Sequence, residues 1–212
     1  MMLTEMEAKA LLASFDVPVN RGYAVSSPEE AVRRAKEIGY PVVVKALSEK
    51  ITHKSDLGLV EVDICTEECL REAFSRIVKK ARSIDPVANA VVESMAIGGV
   101  ETIVGAKRDP QFGPTVLFGL GGIFTEVFKD VSIRVAPVDR EMALAMIGEI
   151  KGGMILNGYR GKKPVNIEAL ADIIVHVSSL MMTRDDVLEL DANPVIADEH
   201  GAVAVDARAL LK

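Results

Sequence analysis

Three consecutive valines, Val42 to Val44, limit the folds open to this chain more than any other segment. Pro41 precedes them, and Lys45 and Ala46 follow. Because β-branched side chains favour strand backbone and apolar runs favour burial, we predict a buried strand that ends by delivering one lysine. A cation there is costly unless it meets an anion, so Lys45 predicts either a phosphate contact or, alternatively, an ammonium that reaches solvent.

Composition agrees with a large buried core and narrows the classes of partner. The 212 residues are 49% apolar but only 4% aromatic, which suits an α/β architecture built on aliphatic side chains. The net charge is -6 and the basic residues are scattered, which argues against a nucleic-acid surface. With no apolar run that suggests a signal peptide or a membrane span, we expect a cytoplasmic protein. Cys65 and Cys69 lack further metal ligands nearby, so we expect ordinary reduced thiols.

Capping signals and apolar periodicity predict the order of the elements. We predict helices that begin near Thr4, at Pro28, after Thr66, at Asp139 and at Asn166. We predict strands over 23–25, 42–46, 58–64, 90–94, two within 100–118, 132–136, 186–190 and 202–206, with Asn193-Pro194 in a loop. This order predicts an α/β (α+β) fold in one domain, 1–212, with a lead-in of residues 1–22, a smaller lobe of 23–91 and a larger lobe of 92–212. A nucleotide would sit between the lobes.

The loop between the second and third predicted strands carries the best candidate for covalent chemistry. It holds His53 between Thr52 and Lys54, with Asp56 close by. A neutral imidazole near pH 7 can accept a phosphoryl group and release it, provided that cations neutralise the transferring oxygens. The alternative is an exposed loop histidine without a role. His176 and His200 are assigned to no site.

Oxygen ligands near the end of the chain predict a metal site. Asp191 and Asn193 are spaced by two residues, which places both side chains on one face of a strand, and Asp206 lies in the next predicted strand. Such ligands suit Mg²⁺ shared with nucleotide phosphates. The alternative is turn chemistry at Asn193 with solvated acids.

A glycine-rich segment after a predicted strand is a weaker candidate. Gly119, Gly121 and Gly122 can let backbone N–H groups approach an anion, and Arg134 is a further candidate for the same phosphate site. The spacing is not that of a dinucleotide-binding fingerprint, so a plain glycine turn is an equal alternative.

These segments together resemble the ATP-grasp superfamily and, more closely, the β subunit or fused ATP-grasp domain of ADP-forming acetyl-CoA synthetases. The resemblance lies in residues 39–45, 51–58, 108–122 and 190–194 and so spans nearly the whole chain in order. The histidine loop combined with the glycine-rich segment is its most specific part. The segment 158–161, Gly-Tyr-Arg-Gly, also resembles the family.

The resemblance implies an ATP-grasp fold with two lobes and a nucleotide cleft between them, and an acid–CoA ligase that forms ATP through a phosphohistidine. By this resemblance His53 accepts the phosphoryl group, with Asp191 orienting it. Lys45 and Lys54 bind the phosphates of ATP/ADP, Glu93 with nearby backbone holds adenine, and Glu101 binds the ribose. Asp191, Asn193 and Asp206 hold Mg²⁺.

The resemblance also implies a partner. A CoA-binding α subunit, with its own phosphorylatable histidine, would handle acyl-CoA, acid and phosphate, and a heterotetramer is expected. This chain shows no dinucleotide-type fingerprint for CoA, so it should not convert acyl-CoA unaided. Two alternatives stay open: another ATP-grasp ligase, either similar to the succinyl-CoA synthetase β subunit or a carboxylate–amine ligase, and a nucleotide-sensing module that binds ATP without turning it over.

Overall fold

The computed structural model describes residues 1–51, 53–122, 129–159, 161 and 163–212. The chain divides into two compact units. The first unit comprises Met1–Leu3, Glu7–Val19 and Ala96–Lys212, and the second comprises Thr4–Met6 and Asn20–Met95. Within the described residues, every helix is too short or too polar to cross a membrane.

The elements follow the predicted order closely. In chain order they are α1 (Glu5–Ala13), β1 (Gly22–Val25), α2 (Pro28–Ile38), β2 (Val42–Leu47), β3 (Val60–Ile64), α3 (Glu67–Arg82), β4 (Asn89–Ser94), β5 (Val100–Asp109), β6 (Gly113–Leu120), β7 (Val131–Val135), α4 (Arg140–Glu149), a short 3-10 helix (Lys151–Ile155), α5 (Ile167–Thr183), β8 (Val187–Ala197), β9 (Ala202–Ala204) and β10 (Ala207–Leu211).

The second unit is a four-stranded antiparallel sheet in the order β1-β4-β2-β3, with α2 and α3 packed against it. Both helices start where the sequence predicts. The Ser27 side chain accepts a hydrogen bond from Glu30 N, and the Thr66 side chain accepts one from Cys69 N. Each helix turns one apolar stripe toward the sheet, which buries Val42 and Val44 of β2 in the shared core.

The first unit is built on a larger antiparallel sheet in the order β10-β8-β5-β6-β7, with β9 added on β8. Its core joins α1, α4 and α5 to one face of this sheet through residues that include Phe118, Ile174 and Leu190. The strand register determines which side chains lie on the opposite face of the sheet. One row across that face pairs Asp191 with Gly105 of β5, which in turn pairs with Leu117 of β6.

The predicted α/β (α+β) class is confirmed, whereas the order of elements differs from the prediction at one loop and by two additional elements. Asn193-Pro194 does not lie in a loop, because β8 continues through both residues to Ala197. The strand β10 and the 3-10 helix Lys151–Ile155 were not predicted. The predicted lobe bound between residues 91 and 92 stays a prediction; both residues belong to β4, which lies whole in the second unit.

Candidate functional site

Lys45 lies in the predicted strand and is buried, but β2 continues beyond it to Leu47. Its Nζ lies 2.7 Å from Glu5 Oε1 and 2.9 Å from Glu93 Oε2. A buried ammonium is costly unless carboxylates compensate its charge, and these two provide that compensation. The anion predicted at the end of this strand is therefore supplied, in this structure, by side chains of the second unit.

Glu93 lies on the neighbouring strand β4 and is fully buried. Asn20 Nδ2 donates to its Oε2 at 3.3 Å. Gly22 faces it across the strand pair, and a Cβ at Gly22 would lie only 2.8 Å from Glu93 Cγ, so the glycine makes room for this side chain. The Glu93 carboxylate thus contacts Lys45 and Asn20. The predicted binding of adenine by Glu93 and nearby backbone stays a prediction.

Lys54 reaches the same group of charges from the loop between β2 and β3. Its ammonium forms an ion pair with Glu5 Oε2, and only 13% of its side chain is exposed. One carboxylate therefore contacts both lysines that the sequence predicts for phosphate binding. Glu5 lies in the first turn of α1, and its side chain is 2% exposed.

The loop that carries His53 is fixed at both ends and exposed in the middle. Ile51 and Leu59 are buried, Ala46 N donates to Leu59 O at 2.9 Å, and Leu59 N donates to Lys54 O at 2.8 Å. Between these anchors His53 is exposed, with a left-handed backbone (φ 54) that histidine adopts more readily than most residues. Its imidazole is therefore accessible to a reaction partner. Thr52, beside it, lies outside the described residues.

The three predicted metal ligands lie together in the first unit. Asp191 and Asn193 share one face of β8, and their side chains are hydrogen-bonded. Asn193 N donates to Asp206 O at 3.2 Å, which places Asp206, between β9 and β10, beside them. Gly105 is the register partner of Asp191, so the neighbouring strand carries no side chain beside the carboxylate.

The electrostatics of this group suit a divalent cation. Burial raises the pKa of Asp191 to about 6, and the Asp206 and Glu189 carboxylates add to the rise. Arg208 and the hydrogen bond with Asn193 oppose it. Within the described part of the chain, no cluster of three or more His, Cys, Asp or Glu side chains could hold a metal. The present set differs from such a cluster because its third ligand is the Asn193 amide. All three donors are oxygens of the kind Mg²⁺ prefers, and the residues fit that ion.

Glu101 and the glycine segment lie next to each other at one end of β5. Gly121 N donates to Glu101 O at 2.7 Å, and a Cβ at Gly121 would lie 2.8 Å from Glu101 Cβ. This close approach requires glycine at that position. Glu101 is exposed and Gly119 is buried. Gly122 has a positive φ of 62, so the segment ends in a backbone conformation that glycine accepts without strain.

Arg134 does not join the other predicted residues. Its register partner is Val116, a core residue, whereas Asp191 belongs to the alternate row through Gly105 and Leu117. Its guanidinium forms an ion pair with Glu149 of α4. Arg134 therefore lies on the helix-covered side of the sheet, away from Asp191. Arg160, within the predicted segment 158–161, lies outside the described residues.

The structure thus assembles the predicted residues within each unit. The second unit joins Lys45, Lys54 and Glu93, with His53 on the adjoining loop, and the first joins Asp191, Asn193 and Asp206. Sequence reasoning missed Glu5, which bridges the two lysines. The residues around Glu5 in the sequence do not indicate that role, because its two lysine partners lie 40 and 49 positions away.

Comparison with known proteins identifies close relatives. The chain matches the family model described as an ATP-grasp domain over residues 1–211. It is 52% identical over 212 residues to subunit beta of the ADP-forming acetate–CoA ligase I of Pyrococcus furiosus, which covers 99% of this chain and 91% of that one.

Solved structures of one synthetase agree with this match. The dinucleotide-forming acetyl-coenzyme A synthetase 1 of Ca. Korarchaeum cryptofilum, in complex with coenzyme A, Ca-AMPCP and HgCl+, has a TM-score of 0.96 at 44% identity and covers 100% of this chain and 93% of that chain. In a second structure of that synthetase, with coenzyme A and Mg-AMPPCP, a phosphohistidine segment points towards the nucleotide binding site. That structure has a TM-score of 0.88 at 43% identity, with the same coverage. The predicted resemblance and the ATP-grasp fold are confirmed.

Proposed function

The chain belongs to the ATP-grasp family, and from this premise we propose that it is the nucleotide-binding, phosphoryl-transferring subunit of an ADP-forming acid–CoA ligase of the acetate–CoA ligase type. One observation supports the proposal most strongly. An exposed histidine, His53, is followed directly by Lys54, and Lys54 is held with the strand lysine Lys45 around a single carboxylate. A phosphoryl acceptor thus stands beside two cations suited to phosphate oxygens.

In the direction of ATP formation, a phosphoryl group on His53 passes to a terminal phosphate oxygen of ADP. The N–P bond breaks, a new P–O bond forms, and the imidazole returns to its neutral form. Lys45 and Lys54 balance the charge of the phosphates, and Glu101 accepts hydrogen bonds from the ribose hydroxyls. Backbone near Glu93 takes the adenine. Phosphoryl transfer depends mainly on alignment and charge neutralisation, so few other groups are needed.

Asp191, Asn193 and Asp206 are the residues proposed to hold Mg²⁺. When bound, the ion would neutralise charge on the nucleotide phosphates. The raised pKa of Asp191 supports this assignment, because a cation beside that carboxylate would favour its ionised form. Orientation of His53 by Asp191 remains part of the proposal.

We further propose a CoA-binding α subunit as the partner. The Pyrococcus furiosus relative is named as a subunit beta, which implies other subunits in that enzyme. In the proposed division of labour, the partner converts acyl-CoA and phosphate to an acyl phosphate and receives the phosphoryl group on its own histidine. His53 then takes the group from the partner and gives it to ADP, within a heterotetramer.

Labelling of the chain with radioactive phosphate tests the role of His53. We expect the full chain, incubated with [γ-³²P]ATP and Mg²⁺, to acquire an acid-labile, base-stable label that transfers to added ADP. His53→Gln should abolish the label, and the control His200→Gln should keep it, because His200 is another exposed histidine. Undiminished label on His53→Gln would disprove the phosphohistidine, and an unlabelled wild-type chain that still binds ATP would indicate a nucleotide sensor.

A further inference from the structure

We propose that Glu5 is a positioning residue, which holds Lys45 and Lys54 together as the pair of ammonium groups that binds the nucleotide phosphates. The inference rests on the proposed function and extends it to a residue outside the predicted set. Glu5 would not touch the nucleotide itself. It would act through the two lysines.

The Glu5 carboxylate is buried and paired with two lysines. Glu5 occupies the first turn of α1, a place where acids normally face solvent, yet its side chain is only 2% exposed. Glutamate is almost never fully buried unless it is paired. Here each carboxylate oxygen has a lysine partner: Oε1 lies 2.7 Å from Lys45 Nζ, and Oε2 pairs with Lys54.

The two lysines come from parts of the second unit with different freedom. Lys45 is fixed by the β2 backbone and by a second carboxylate, Glu93, at 2.9 Å. Lys54 belongs to the exposed loop, and a lysine stem is flexible. Two like charges repel, so the bridging carboxylate is what favours their close placement. Because Lys54 follows His53, the same bridge also restrains the loop beside the proposed phosphoryl acceptor.

A carboxylate that bridges two ammonium groups makes the same kind of contact as two oxygens of a phosphate. Glu5 therefore has two possible effects on a nucleotide, and they differ in sign. If positioning dominates, loss of the Glu5 charge lets Lys54 turn to solvent and weakens phosphate binding. If charge repulsion dominates, the same loss strengthens phosphate binding. We infer that positioning dominates, because each oxygen of the buried Glu5 carboxylate contacts one of the two ammonium groups.

Binding of ADP and of adenosine to the full chain tests the inference. Glu5→Gln keeps the shape of the side chain and removes its charge. We expect it to weaken ADP binding about tenfold, which corresponds to about 1.4 kcal/mol, and to leave adenosine binding unchanged. The control Glu67→Gln removes an acid of the same unit that pairs with Lys36 at 2.6 Å on the surface, and it should change neither affinity. Unchanged or tighter ADP binding by Glu5→Gln would overturn the proposal, as would an equal loss for adenosine.

A double-mutant cycle with Lys54→Met tests whether Glu5 acts through the loop lysine. In the Lys54→Met background, Glu5→Gln should have little further effect on the affinity for ADP. Full additivity of the two losses would contradict the inference.

Two further variants keep the outcomes separate. If Lys45→Met leaves ADP binding intact, the proposed phosphate site itself is wrong. If Lys45→Met weakens ADP binding but Glu5→Gln does not, only the inference about Glu5 fails.

Should Glu5→Gln not fold, Glu5→Asp keeps the charge but is one methylene shorter, so it cannot hold both ammonium groups at once. We then expect a partial loss of ADP affinity with adenosine binding retained, and unchanged ADP affinity would again overturn the inference.

Discussion

The carboxyl group of Asp191 makes the stability of the chain depend on pH when Mg²⁺ is absent. Burial raises its pKa from the ordinary 3.8 to about 6, so the folded chain holds this proton more tightly than the unfolded chain. The stability that this group contributes is complete below about pH 4 and is lost as the pH rises through about 6. We expect Asp191→Asn to be more stable than wild type above pH 6 by about 1–3 kcal/mol, and equally stable near pH 4. Urea unfolding in Mg²⁺-free buffer at several pH values measures this difference.

A matched substitution separates this effect from a general change in charge. Asp185 lies in the same unit and its side chain is 87% exposed. Asp185→Asn should follow the wild-type pH profile. A constant difference between Asp191→Asn and wild type across the whole pH range would show that the effect does not come from titration of Asp191.

Individual site residues were predictable from the sequence where the signal is local. The spacing of two between Asp191 and Asn193 implies a shared face of a strand, and the structure has it. The roles of Glu5 and Arg134 could not be predicted in this way. The burial of Glu5 depends on Lys45, 40 positions away, and the side of the sheet on which Arg134 lies depends on the register between β6 and β7. Neither relation leaves a trace in the neighbouring residues.

At the scale of elements, Asp85 fixes the beginning of the segment that connects β2 to β3. Asp85 is a buried residue that follows α3. Asp85 Oδ2 accepts a hydrogen bond from Ser48 Oγ at 2.7 Å, and Oδ1 accepts one from Lys50 Nζ at 3.4 Å. The hydrogen bond from the Ser48 hydroxyl lowers the pKa of this carboxyl, and the charge of Lys50 lowers it further. We expect Asp85→Ala to increase amide hydrogen exchange in residues 48–58 and to slow phosphorylation of His53 severalfold, because the loop would spend less time in one conformation.

A neighbouring acid provides the control for this prediction. Glu49 is exposed and lies between Ser48 and Lys50 in the chain. Glu49→Ala should leave both loop exchange and phosphorylation close to wild type. If Asp85→Ala changes neither, Asp85 does not restrain this loop.

Helix starts were predicted well because their cause lies within a few residues. Asp139 and Asn166 each accept a hydrogen bond from a backbone N–H three residues later, as the capping rule requires. The last strands were predicted poorly for the opposite reason. Asn-Pro favours turns locally, but β8 is paired on both sides of these residues, at Ala192 with β10 and at Val195 with β9, and it continues through them. The strand β10, with the sequence Ala-Arg-Ala-Leu-Leu, has little intrinsic strand preference, and it is β10's antiparallel pairing with β8 that makes it a strand.

At the scale of the whole molecule, the buried residues are divided between two cores. The described residues form two separate hydrophobic clusters, one in each compact unit. The second unit carries Lys45, Lys54 and His53, and the first carries Asp191, Asn193 and Asp206. Each group of proposed site residues therefore lies in a unit with its own core, and a defect in one core should disturb one group more than the other.

Two core truncations test this division. Leu70 of α3 and Ile174 of α5 are both fully buried, in the second and the first unit respectively. We expect Leu70→Ala and Ile174→Ala each to cost about 2–5 kcal/mol, since both leave a cavity. Hydrogen exchange measured by segment should rise mainly in β2 and β4 for Leu70→Ala, and mainly in β5 and β8 for Ile174→Ala. An equal rise throughout the chain for either variant would mean that the two cores unfold as one cooperative unit. With separate units, Leu70→Ala should lower phosphorylation of His53 while leaving the pH-dependent stability that comes from Asp191 intact.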